Sequence, residues 1–122
     1  MAGLTTTESQ STLDARFPTS GGGDYIAYSA NGSSETGSLA RTSVGATGWA
    51  AATAADPSVK ANANALTSAA ASGTVTVSHF AIYSASSGGT QRTDWTALAA
   101  SRALLSGDQL THAIGAIAVT LT

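Results

Sequence analysis

Cysteine is absent from the 122 residues, so neither a disulfide framework nor a thiolate metal site is available. That absence fits assembly in a reducing cytoplasm. Charge is scarce as well. Charged residues make up 10% of the chain, against about 25% in typical soluble domains. The five basic residues, Arg16, Arg41, Lys60, Arg92 and Arg102, are scattered, and the formal net charge is −2. A nucleic-acid binder concentrates its basic residues in a patch; none is visible here. No apolar run approaches the roughly 20 residues of a membrane helix, and no charged n-region followed by an apolar stretch marks a signal peptide. Proline occurs twice, at Pro18 and Pro57.

What is abundant is small. Alanine (26), threonine (18) and serine (17) make up half of the chain. Such a surface has little side-chain entropy to lose on association and suits dense protein packing. A GC-rich genome explains the alanine content equally well. The length is that of one ordinary domain with a core that needs no staples.

Residues 1–20 read as an N-terminal arm or short helix with a hinge, and residues 21–122 as one β domain. Thr5-Thr6-Thr7-Glu8 and Ser11-Thr12-Leu13-Asp14 each have helix-capping character, predicting a helix over about 7–16. The alternative is an extended arm that orders against a partner. Phe17-Pro18 ends any helix, because the residue before proline avoids the α region. Strands are expected at 24–30, 39–44, 48–53, 75–84, 90–98, 101–105, 110–113 and 115–122, separated by Asn31-Gly32, Asp56-Pro57, Ser86-Ser87-Gly88-Gly89 and Ser106-Gly107-Asp108 turns. Val75–Ser84 is apolar on both faces, as in a central strand, with Phe80 and Ile82 on one and His79, Ala81 and Tyr83 on the other. Residues 50–71 are alanine-rich and open to helix, but Asn62, Asn64 and the Thr/Ser content favour strand and loop. The fold class is mainly β: a single small antiparallel sandwich, immunoglobulin-like or jelly-roll-like, with a short N-terminal helix or arm.

No chemistry-bearing constellation stands out. His79 and His112 with Asp94 or Asp108 could hold a metal, but hydrogen-bonded strand histidines are the simpler reading. Gly-x-Ser-x-Gly is absent, and seven acids offer little for a carboxylate pair. No enzyme and no cofactor are expected. Tyr25, Tyr28, Trp49, Tyr83 and Trp95 form either a core and interface set or a sugar-stacking platform. Leu4, Leu13 and Phe17 are apolar residues of the arm without an obvious home. The candidate interface set is therefore Leu4, Leu13, Phe17, Tyr25, Tyr28, Trp49 and Trp95.

The run Gly73-Thr74-Val75-Thr76-Val77-Ser78-His79-Phe80-Ala81-Ile82-Tyr83, the Ser-Gly-Gly turn after it, and Gly107-Asp108-Gln109-Leu110 carry a resemblance covering about residues 24–122. They are similar to small structural proteins of tailed bacteriophages, variously minor capsid, capsid decoration or tail-fibre-like. The loop after the first strand lacks the proline of that pattern, and the first 20 residues fall outside it. The resemblance implies a β-sandwich on the virion without catalysis. Its favoured form is a capsid decoration (minor capsid) protein made in the bacterial cytoplasm and bound to the outside of the head. It would self-associate as a homo-oligomer, as a trimer, and bind the major capsid protein, with no nucleic-acid or membrane partner. The alternative is a tail-associated fibre or tip module that binds host surface polysaccharide.

Overall fold

The computed structural model describes residues 4–20, 23–55 and 57–121. Asp56, half of the expected Asp56-Pro57 turn, lies outside them. The fold class is as the sequence predicts, mainly β with antiparallel ladders and one N-terminal helix, consistent with a small β-sandwich. The elements are α1 (Thr6–Arg16), β1 (Tyr25–Ser29), β2 (Thr42–Ser43), β3 (Ser58–Ala61), β4 (Leu66–Thr67), β5 (Val75–Tyr83), β6 (Thr96–Leu104), β7 (Thr111–His112) and β8 (Ala118–Leu121). They fall into two compact units. One draws on Met1–Gly22, Val44–Ala65 and His112–Thr122, the other on Gly23–Ser43 and Leu66–Thr111.

In the first unit, α1 starts where its capping residues place it. Thr5 is extended and its Oγ1 accepts from the Glu8 amide at 3.2 Å. Glu8 in the first turn and Arg16 in the last complement the helix dipole. Threonine and serine are poor helix formers, so packing must hold the element. Leu13 and Phe17 are buried, and the Phe17 ring meets Trp49 edge-on at 5.4 Å. Burying such side chains contributes about 1.5–3 kcal/mol each.

Strand β3 pairs antiparallel with β8, from Ser58↔Leu121 to Ala61↔Ala118. The expected strand at 48–53 is only partly realised: Trp49 forms a single bridge to Asn62, and Ala50 and Thr53 donate to the Ala61 and Val59 carbonyls. Residues 48–53 thus follow β3 without forming a continuous ladder. Asn62, 1% exposed, fixes the adjoining loop. Its amide group donates to the Asn64 and Ala113 carbonyls, and its Oδ1 accepts from the Ile117 amide. A helix over 50–71 could not present this side chain to three backbone partners, and strand and loop are what form.

One contact in this unit is ionic. The Lys60 side chain is wholly buried, and its Nζ donates to Asp14 Oδ1 at 2.6 Å. The same oxygen accepts from the Ala52 amide at 2.9 Å, while Gln10 Nε2 donates to the Ala52 carbonyl. These bonds clamp α1 onto β3 and the 50–53 segment.

The second unit holds a sheet of order β2-β1-β5-β6 and contains β4, whose ladder is with β7. Strand β5 is central, as its two apolar faces require. It pairs with β1 from Tyr25↔Tyr83 to Ser29↔His79. Ile26, Tyr28 and Ile82 are buried on one face, Ala27 and Ala81 on the other. The Tyr28 hydroxyl is bonded to that of Thr42. Beyond β1, Ser29 Oγ accepts from the Asn31 and Gly32 amides, building the turn that Asn31-Gly32 announces. Gly32 has φ +75°, and a Cβ there would sit 2.9 Å from His79 Nε2.

Of the expected strands 90–98 and 101–105, residues 90–95 make only a single bridge, Gln91 to Tyr83, and the remainder form one strand. Thr96–Leu104 is continuous, with an irregularity where Leu98–Ser101 stand opposite Ser78 alone. The second expected strand, 39–44, is shortened to Thr42–Ser43.

Candidate functional site

Arg41, just before β2, organises a cluster at one end of the β1–β5–β6 surface in the second unit. Its side chain is 7% exposed. Nε and Nη2 donate to Glu35 Oε2 and Oε1 at 2.9 and 2.8 Å, the fork-to-fork geometry that guanidinium and carboxylate share. Nη1 donates to the Ala85 and Gly88 carbonyls at 2.7 and 2.8 Å. The guanidinium carbon lies 4.0 Å from the centroid of the Tyr83 ring, a cation–π contact. Bonding to Glu35 raises the Arg41 pKa further above its ordinary value. The group is a fixed cation whose charge Glu35 cancels.

The arginine therefore grips the loop after β5 by two carbonyls. Ser84 closes the same loop, its amide donating to the Thr90 carbonyl and its Oγ accepting from the Thr90 amide. The loop being fixed, Tyr83 is fixed too: its hydroxyl donates to Gln91 Oε1, and Gln91 Nε2 donates to the Thr93 carbonyl. The Trp95 ring leans on Tyr83 with centroids 6.2 Å apart and planes at 51°. Tyr25, directly opposite Tyr83 in the ladder, shares its face. Tyr25, Tyr83 and Trp95 are each half-buried, so this is a rigid aromatic surface with polar tips rather than interior.

The set offers neither a nucleophile–base pair nor a carboxylate pair, since Glu35 is spent on Arg41. Its chemistry is that of contact: flat apolar faces beside an amide, held with little mobility to lose. His79 Nδ1 lies 2.7 Å from Ser78 Oγ. Among the described residues, no group of three or more His, Asp or Glu is placed to hold a metal ion.

The residues singled out from the sequence divide. Leu13, Phe17, Tyr28 and Trp49 are buried, and Phe17 and Trp49 meet within the first unit. Leu4 is 43% exposed. Tyr25 and Trp95 flank Tyr83 at the cluster. Sequence reasoning missed Arg41, Glu35 and Gln91. The available signal was an acid and a base six positions apart with no other charge between them.

The family described as Podophage GP4 fiber I protein gp80 matches residues 5–120. The chain belongs to this family. As a fiber I family member it is a structural protein of the phage virion, which meets the resemblance to tailed-phage proteins at that level. The family's description names a fibre and not a head decoration protein. The match also includes α1, which lay outside the sequence resemblance. No curated protein matches the chain. Among the described residues of this family member, no helix is long and apolar enough to cross a membrane.

Proposed function

We propose that this chain is a tail-fibre module that meets polysaccharide on the host surface, with an adhesive and mechanical role rather than a catalytic one. The observation that carries the reading is the fibre-family match over residues 5–120. The Tyr25–Tyr83–Trp95 face supports it. Flat rings take the C–H face of a sugar ring, and the charge-compensated Arg41–Glu35 pair leaves the surface suited to a neutral ligand. Preorganisation by Arg41 lowers the entropy lost on contact.

Decoration of the head is the second reading, favoured by the small Ser/Thr/Ala surface, with the major capsid protein as partner. Antibody-gold labelling of intact virions separates the two: label on the tail is expected, and label spread over the head lattice would move the protein to decoration. In parallel, the purified chain is incubated with surface polysaccharide from the propagating host. Binding that Trp95→Ala abolishes, with unchanged thermal stability, is the expected result. Equal binding by both proteins would remove the aromatic face from the proposal.

A further inference from the structure

We infer that the Tyr25–Tyr83–Trp95 face selects N-acetylated amino sugars, the acetamido group being the feature it reads. The inference rests on the polysaccharide reading above and narrows it to a substrate class.

Most polar groups around the rings already have partners, and those left over are donors. The Tyr83 hydroxyl donates to Gln91 Oε1 at 3.1 Å, and Gln91 Nε2 donates one of its two protons to the Thr93 carbonyl at 2.8 Å. A carbonyl can only accept, so the Thr93 bond also settles which end of the amide is nitrogen. The second Nε2 proton remains, on an exposed side chain oriented by those two bonds. The Trp95 indole N–H is a donor and nothing else, and no described residue accepts from it. The Tyr25 hydroxyl, likewise without a described partner, can take either role. Two oriented N–H donors thus edge a flat apolar face. Gln91 is held by its bonds and Trp95 by its contact with Tyr83, so little mobility is lost when a ligand arrives.

Charge decides what kind of acceptor these donors meet. Arg41 is paired with Glu35, and Arg92 with Asp24 at 2.9 Å. Asp94, next to Trp95 in the chain, is exposed and forms no ion pair among the described residues. A uronate or phosphate would find both nearby cations already compensated and one carboxylate unpaired, which disfavours an acidic sugar. The fitting acceptor is a neutral carbonyl. A plain hexose hydroxyl can accept an N–H but brings no apolar surface with it. An acetamido group combines a carbonyl, a planar amide and a methyl, which suits donors set beside aromatic rings.

The test uses chitin oligomers and cellulose oligomers, which share a linkage and differ in the acetamido group, with oligogalacturonate as the acidic probe. Titration calorimetry on the full chain gives the affinities. The indole N–H resonances in NMR place the contact, with the buried Trp49 as internal reference. Chitin oligomers should shift the Trp95 resonance and bind about tenfold tighter than cellulose oligomers, as one to two hydrogen bonds require. Oligogalacturonate should bind weakest. Trp95→Phe keeps a ring and deletes the N–H; Gln91→Glu puts an oxygen where the donor stood. Each should lower the chitin-to-cellulose affinity ratio by about threefold or more, with melting curves verifying the fold. Equal affinities, a preference for oligogalacturonate, or a ratio that neither variant moves would each overturn the inference. Host polysaccharide bound through Trp95 while chitin oligomers do not bind would also overturn it and leave the polysaccharide reading standing. Failure of the parent to bind host polysaccharide would instead remove that reading.

Discussion

Asp14→Ala strips the counter-charge from a lysine whose side chain is wholly buried. The Lys60 Nζ–Asp14 Oδ1 separation is 2.6 Å, and the carboxylate is 38% exposed. Orphaning one member of a buried pair costs about 3–5 kcal/mol. Partial solvent access to Asp14 argues for the lower end, about 3 kcal/mol, and loss of the acceptor for the Ala52 amide adds about 1 kcal/mol. Lys60→Met does the reverse. It removes the charge that is expensive to bury and fills the same volume. Asp14 then keeps its bond to Ala52 and its contact with water. Its cost should stay within about 1.5 kcal/mol. Stability for a chain of this length is about 6–18 kcal/mol, so the first variant is severe and the second mild. Urea unfolding at neutral pH, read as a midpoint change at constant slope, measures both. Equal losses, or a larger loss for Lys60→Met, would refute the reasoning. The pair also sets an acid limit. The Lys60 ammonium, and then the Ala52 amide, hold the Asp14 pKa below its usual value. Its contribution is therefore complete above the unfolded carboxylate pKa of about 4 and lost as pH falls through the lower folded value. Asp14→Ala should flatten that acid limb.

At the alkaline end, burial pushes Tyr28 up to about 12 despite the opposing bond to Thr42. A raised pKa stabilises below the unfolded value of about 10, and that stability is lost as pH rises from there through 12, by roughly 3 kcal/mol in all. Tyr28→Phe should remove this part of the alkaline limb in denaturation curves, while costing about 1–2 kcal/mol at pH 7 because the buried Thr42 hydroxyl loses its partner. Gly32→Ala meets both a left-handed backbone and His79 Nε2 at 2.9 Å, and should cost about 2 kcal/mol. In a His79→Ala background only the backbone share, about 1 kcal/mol, should remain by a double-mutant cycle. Thr5→Ala should cost about 1 kcal/mol through loss of the cap to Glu8, visible as a lower melting temperature.

The legible parts of the fold are those encoded locally. The start of α1 follows from Thr5 and Glu8 three positions apart, and β5 from its alternation. The 50–71 stretch resisted because alanine favours helix while a single asparagine decides against it through partners near 113 and 117. Reading two strands for β6 failed for a related reason: the local irregularity at Leu98–Ser101 interrupts the alternation without ending the strand. At the site, Tyr25 and Trp95 were readable as aromatics that need a place. Arg41 was not, since its two carbonyl partners lie more than forty positions away and expose no side-chain signature. The Asp14–Lys60 pair is hidden likewise, being a product of topology rather than spacing.

The interleaving of the two units has a temporal consequence. β3 can complete its ladder only with β8, and most of the second unit lies between them in the chain. Loop closure across that length must precede the β3–β8 contacts of the first unit, so its folding is expected to lag. During synthesis the second unit's sheet can form while α1 and β3 wait for Ile117 and β8 to leave the ribosome. A chain truncated before residue 112 should therefore protect β1 and β5 from hydrogen exchange and leave β3 open.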